Sequence, residues 1–245
     1  MGRMVAEEAA RAGLAVVGGT DRPGAHLGEL PCFPTLSALA EVADVLVDFS
    51  HASAVAETAA TLARHRAGWV LGTTGIDAED QARVARTAES VPVVQAANFS
   101  PAVTLMMALA RRMAATLPAA RYDAEILEMH HRHKVDAPSG TALALGEAVA
   151  AGRGVSLAAM RDSGRDGQTG ARRPGAIGFA ALRGGQVVGE HTLLFAADDE
   201  QIALVHRAFD RRAFAAGAVR AVQWLHGRLP GLYGMEHVLG LDIGT

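Results

Sequence analysis

The sequence predicts an α/β chain in two parts, a parallel sheet covered by helices and then an α+β domain built on a mixed sheet. Two rhythms carry that expectation. Up to about residue 101, short β-branched runs alternate with alanine-rich helical stretches, the order that a parallel sheet requires. Beyond it, strand-like runs follow one another with few helices between them, as in antiparallel or mixed sheets. The 245 residues, 50% hydrophobic and 20% charged, suffice for two modest cores.

In the first part the strand candidates are Leu14 to Gly18, Asp44 to Phe49, Trp69 to Thr73 and Pro92 to Ala96. Their near-continuous apolar character fits strands buried on both faces. Helical periodicity starts near Leu36, Ala54 and Asp77, with apolar residues recurring every three or four positions. Pro101 opens a longer helix through Leu117, because proline at the first helical position gives up an N–H that would be unpaired anyway. Tyr122 to His131 then reads as a strand and Ser139 to Ala151 as a helix. Ala176 to Leu182, Val187 to Phe195 and Ile202 to Ala208 read as further strands. Asp162 to Gly175, rich in Gly, Arg and Asp, reads as one long loop, and Arg211 to Leu229 as a closing helix that rejoins the first domain. The expected domains are therefore residues 1–101 with 211–245, and residues 102–210.

Composition narrows the function. A formal net charge of −3, with no basic stripe, counts against nucleic acid as the partner. No apolar stretch approaches the ~20 residues that span a bilayer. Acidic residues stand where a signal peptide would be apolar, and the single cysteine, Cys32, cannot form an internal disulfide. A cytoplasmic protein is expected. All but one of the 23 basic residues are arginine, and the exception is Lys134. An ammonium is a compact charge that can give up its proton, which a guanidinium does not do.

Lys134 lies in the densest chemical segment, Glu128 to Leu143, EMHHRHKVDAPSGTAL. His130, His131 and His133 stand beside it, and Ser139, Gly140 and Thr141 open a helix whose N–H groups and hydroxyls suit a carboxylate. A cationic cluster beside an anion cradle points to an acidic substrate, with imidazole and lysine as proton donors. Zinc is disfavoured, since Arg132 and Lys134 would repel it and no cysteine completes the shell. Two loops, Gly72 to Gly75 and Ala96 to Ser100, follow strands at the expected carboxyl edge of the sheet, where open α/β folds bind ligands. Asp21, about twenty residues after Gly2, stands where nucleotide folds place the acid that bonds a ribose, and the adjoining Arg22 would suit a 2′-phosphate. Arg172 could hold a further carboxylate, though a surface pair is the default for one arginine among many. Met106, Met107 and Met113 read as core.

These segments resemble the 4-hydroxy-tetrahydrodipicolinate reductase (dihydrodipicolinate reductase) family. The likeness rests on HHRHKVDAPSGTA, the GTTG and AANFS loops, DFS at Asp48 to Ser50, and the pattern from Arg172 to Thr192 that ends in GEHT. It implies reduction of a cyclic dicarboxylate by NADPH or NADH in lysine and diaminopimelate synthesis. It also implies a Rossmann-like N-terminal domain, and a substrate domain that assembles a homotetramer. By position, His130 and Lys134 would be the proton-donating pair. His131, Ser139, Gly140, Thr141 and Thr74 would hold substrate. Gly2, Asp21, Arg22, Gly72, Thr73, Thr74, Ala96, Ala97, Asn98 and Phe99 would contact the nucleotide, and no metal is implied. Hydride arriving at a ring carbon leaves charge on the conjugated imine, so a cation and proton donor nearby lower the barrier.

Two departures stand out. The family's opening strand and GxxGRMG turn should precede Met1-Gly2-Arg3, and a preceding segment is expected. Without it the sheet would lack a central strand and the Rossmann-like domain would be truncated, with weak nucleotide binding. His51 stands where many relatives carry arginine. The competing readings are an inactive or truncated paralogue that still binds the dicarboxylate, and another small-acid or imine reductase on a similar fold.

Overall fold

A computed structural model describes residues 1–21 and 27–241. It forms two compact units, one of residues 1–101 with the segment from Arg212 onward, the other Ala102–Arg211. The first unit opens with α1 (Gly2–Arg11) and α2 (Leu36–Ala40). Regular alternation follows through β1 (Val45–Asp48), α3 (Val55–His65), β2 (Gly68–Leu71), α4 (Ala78–Ala88) and β3 (Pro92–Gln95). Asp77 starts α4 as a cap, its carboxylate accepting from the Asp80 N–H at 2.8 Å. All four residues of β2 are buried, because alternate side chains serve opposite faces. Trp69 and Leu71 pack with Val55, Leu62 and Val84 of α3 and α4.

In the second unit α5 (Pro101–Thr116) leads into β4 (Asp123–His130), α6 (Gly140–Gly152) and α7 (Leu157–Met160). Four strands follow: β5 (Arg161–Ser163), β6 (Ile177–Arg183), β7 (Gly189–Ala196) and β8 (Gln201–Ala208). The sheet order is β5-β6-β4-β7-β8, parallel on the β6 side of β4 and antiparallel on the β7 side. One face is covered by α5 and α6, where Met106, Ala110, Leu145 and Val149 meet Ile126, Ile177, Leu193 and Phe195. Met107 and Met113 pack at its margin. Arg172 binds Asp123 and Glu125 at 2.7 Å each and donates to the Ala124 and Ala176 carbonyls, so it staples β4 to the start of β6.

The chain then returns to the first unit as α8 (Arg212–Leu225), β9 (Gly231–Tyr233) and α9 (Met235–Leu239). There β9 adds to β3, giving the all-parallel order β1-β2-β3-β9. Val70 and Val94 face Val5 of α1 and Ala215, Ala218 and Val219 of α8, so this sheet has helices on both sides.

Three expectations are corrected. Leu14 to Gly18 is not a strand: a strand needs a ladder partner, and among the described residues the only backbone pairing nearby is Gly19 with Pro31 and Phe33 across an isolated bridge. The closing helix stops at Leu225 rather than Leu229, since Gly227 turns into the left-handed region (φ +74°) and frees the chain to form β9. The long loop begins with β5, which gains its order only by pairing with β6.

The descent of α8 onto the loop after β3 depends on Gly217, where a Cβ would stand 1.7 Å from the Phe99 carbonyl oxygen. Gly217→Ala therefore overpacks a backbone contact, at a cost of about 1–3 kcal/mol. A melting temperature lower by roughly 3–10 °C is expected by calorimetry. An unchanged melting temperature would contradict this packing.

Candidate active site

The cluster in the second unit is built from the end of β4. Side chains two apart on a strand share a face, so Glu128 and His130 point to the same side. Glu128 is fully buried, and its carboxylate accepts four hydrogen bonds. Oε1 receives the Ser139 N–H at 3.0 Å and Arg183 Nη2 at 2.8 Å. Oε2 receives His130 Nδ1 at 2.6 Å and Arg183 Nη1 at 2.8 Å. Burial alone would raise the pKa of this acid, but the bonds from Arg183, His130 and Ser139 outweigh it and hold the carboxyl below its usual range.

Ser139 then caps α6, its Oγ accepting from the Ala142 N–H at 3.2 Å. Gly140 and Thr141 form the first turn behind it, at the positive end of a 13-residue helix that follows the histidine segment. His191 of β7 stands directly across from Glu128, its Nε2 3.1 Å from Ser139 Oγ and its ring edge-on to His130 at 5.2 Å. Burial first, and then neighbouring His130, pull the His191 pKa down to about 4. His206, across from His191 on β8, is lowered by burial as well. His131 is lowered by desolvation and then by Arg211, His133, His130 and Lys134, the mark of a crowded cationic corner. Lys134 Nζ donates to Asp136 at 2.8 Å, which lowers the Asp136 pKa. Among the described residues, no three His, Cys, Asp or Glu side chains converge as metal ligands would.

In the first unit the polar loops sit at the carboxyl ends of β1, β2 and β3. Asp48, also buried, accepts from the Ser50 N–H and hydroxyl at 2.9 and 2.6 Å and from the Thr73 hydroxyl at 2.9 Å. Its second oxygen is buried with no hydrogen-bond partner among the described residues. Gly72 is required beneath Phe49, whose ring a Cβ would meet at 2.2 Å. Phe49 in turn stacks edge-on against Phe99 at 5.4 Å. The Ala96 N–H bonds the Leu71 carbonyl at 3.1 Å, and the Asn98 side chain accepts from the Ser100 N–H at 2.8 Å. Thr74 and Ala97 are exposed on this rim, and Gly2 starts α1 with open space around it. His51 is committed locally, accepting from the Ser53 N–H. Asp21 is exposed, whereas Arg22 lies outside the described residues.

Sequence reasoning found the loops but missed Glu128, Arg183 and His191. One signal for the acid was available: Ala124, Ile126 and Glu128 fall on the buried phase of β4. A carboxylate there must be paired.

The carboxyl edge of an open parallel sheet is where such folds bind ligands, and imidazoles, an ammonium and a helix N-terminus are the groups of an enzyme that moves protons on an anionic substrate. The chain belongs to the dihydrodipicolinate reductase family, whose N-terminal model matches residues 1–99 and whose C-terminal model matches residues 102–239. A 4-hydroxy-tetrahydrodipicolinate reductase of Granulibacter bethesdensis is 58% identical over 244 residues, covering 98% of this chain and 93% of its own. The reductase of the same name from Gluconacetobacter diazotrophicus is 59% identical over 242 residues, with 99% and 94% covered. A solved dipicolinate-bound dihydrodipicolinate reductase from Paenisporosarcina superposes with a TM-score of 0.75 at 25% identity, covering 96% of each chain. The family's reductases use NADPH or NADH.

The lowered imidazoles set a pH dependence. A buried histidine that stays neutral down to about 4 refuses a proton which the unfolded chain takes up near 6.5, so its stabilisation is complete above 6.5 and lost as pH falls toward 4. Urea midpoints should fall over that window. His191→Gln should flatten the decline, and a variant with the same slope as the parent would contradict the assignment.

Proposed function

We propose that this chain reduces 4-hydroxy-tetrahydrodipicolinate, with residues 102–211 holding the dicarboxylate and the first unit holding the nucleotide. One observation carries the reading: the helix start at Ser139 and the imidazole of His130, next to His131 in the chain, are assembled around a single buried carboxylate, Glu128. The N–H groups of Gly140 and Thr141 and the His131 ring would hold a substrate carboxylate, and His130 and Lys134 would deliver the proton. Thr74 would add a contact to substrate from the β2 loop.

The nucleotide fits the rim that β1, β2 and β3 present. Gly72 lets Phe49 pack against the loop after β2, which shapes this rim, and among the described residues Asp48 Oδ2 is an unused buried acceptor behind the same loop. Gly2, Asp21, Arg22, Thr73, Ala96, Ala97, Asn98 and Phe99 are the further residues assigned to it. The bound nucleotide supplies hydride. The chain's part is to orient the ring by its carboxylates, to place cationic groups where negative charge develops, and to give up one proton.

The uncovered face of the five-stranded sheet supports assembly of several copies, a tetramer in this reading. Leu127, Leu182 and Val205 lie there between 42% and 50% exposed on strands β4, β6 and β8, an apolar surface that monomers rarely leave open. No described helix is long and apolar enough to cross a membrane. A cytoplasmic site of action accords with a nicotinamide-dependent biosynthetic step.

The test follows 340 nm absorbance as the chain meets 4-hydroxy-tetrahydrodipicolinate with NADPH or NADH. Oxidation of either nucleotide is expected, and none would contradict the reading. Lys134→Ala should lower kcat by about 10²–10⁴-fold. Its melting temperature should fall by no more than a few degrees, because the ion pair lost is partly exposed. Parental turnover in that variant would remove Lys134 from the chemistry.

A further inference from the structure

We infer that Glu128 is a positioning residue of the reduction: it fixes which ring nitrogen of His130 serves the reacting groups and, through Arg183, holds the loop that carries Lys134. The inference rests on the roles proposed above for His130 and Lys134.

The first half follows from hydrogen-bond chemistry. An ionised carboxylate only accepts, so the 2.6 Å contact between Glu128 Oε2 and His130 Nδ1 requires the proton on Nδ1. In the neutral ring the lone pair then lies on Nε2, and in the charged ring the Nε2–H is the one that points away from Glu128. Space around Nε2 is kept by Gly189 of β7, where a Cβ would stand 3.0 Å from that nitrogen. One side of the ring is thus committed to Glu128, while β7 presents no side chain at Gly189 to the other.

The second half follows from where Arg183 reaches. Its Nη2 bonds Glu128 and also the Asp136 carbonyl at 2.7 Å, and the Asp136 carboxylate takes the Lys134 ammonium at 2.8 Å. Glu128 Oε1 meanwhile holds the Ser139 N–H at the loop's far end. The segment from His131 to Pro138 is therefore tied at its start, near its middle and at its end to the pair formed by buried Glu128 and half-buried Arg183. An apolar pair of similar volume would stabilise a sheet as well as or better than a desolvated carboxylate and guanidinium. What the ionic pair provides is direction, for one imidazole and for one loop.

The experiment joins ¹⁵N spectra of the histidine rings with steady-state kinetics, the His130 signals being assigned by their loss in His130→Gln. Whenever the ring is neutral, His130 of the parent protein is expected to carry its proton on Nδ1; a neutral ring protonated on Nε2 would overturn the inference. Glu128→Gln is expected to mix the tautomers and lower kcat about 10–100-fold, leaving KM for the nucleotide within about twofold. Turnover equal to the parent's, or an equal loss of nucleotide binding, would overturn it. Should Glu128→Gln fail to fold, the parent spectrum still decides, and Gly189→Ala gives a second reading. That variant keeps the Glu128 pair and crowds the Nε2 edge of the ring, so kcat should fall with nucleotide KM unchanged, and parental kcat would count against the inference. A parent chain with no turnover at all would defeat the proposed reaction, while the ring spectrum would still test the tautomer.

Discussion

A carboxylate taken wholly out of water must have every lone pair answered, and at Glu128 that requirement organises the second unit. β4 is the middle strand of its sheet, so Glu128 has neighbours on both sides. The parallel neighbour β6 supplies Arg183, and the antiparallel neighbour β7 places His191 opposite. The remaining donors come from two residues along the same strand and from the start of α6. Three segments, β4, β6 and the start of α6, therefore converge because one charge needs them, and His191 of β7 packs beside them. The imidazoles, the ammonium and the helix N-terminus acquire their places as a consequence.

The first unit uses a smaller version of the same device. Asp48, at the carboxyl end of β1, is buried and gathers the Ser50 and Thr73 donors, so the loops after β1 and β2 are fastened to each other. Phe49 then closes over Gly72 and meets Phe99, extending the link to the loop after β3. In each unit a strand delivers an acid to its carboxyl end, and the acid shapes the loops that follow. Parallel strands suit this arrangement, since all their carboxyl ends lie on one edge.

Much of this was legible because local rules and tertiary packing agree. The alternation of β-branched and alanine-rich runs marked β1 to β3, Pro101 marked α5, and Ser139 before Gly140 marked α6. The reactive segment was legible because a lone lysine among arginines, three histidines and a capped helix coincide within a few residues. Long-range pairing set the limit elsewhere. Leu14 to Gly18 has strand composition but no ladder partner among the described residues, while Gly231–Tyr233 has almost no strand signature yet finds β3. Arg183 looked like any of its many counterparts until register put it beside His130, and the same register separates it from Arg172, which is a structural staple.

The central claim is that the surface between the end of β4 and the start of α6 receives a dicarboxylate. Titration of pyridine-2,6-dicarboxylate into the ¹⁵N-labelled chain, followed through backbone amide shifts, tests it directly. Saturable movement concentrated at His131 and Ser139 to Thr141 is the predicted result. Saturable movement elsewhere with these amides still, or no saturable movement at all, would contradict the account.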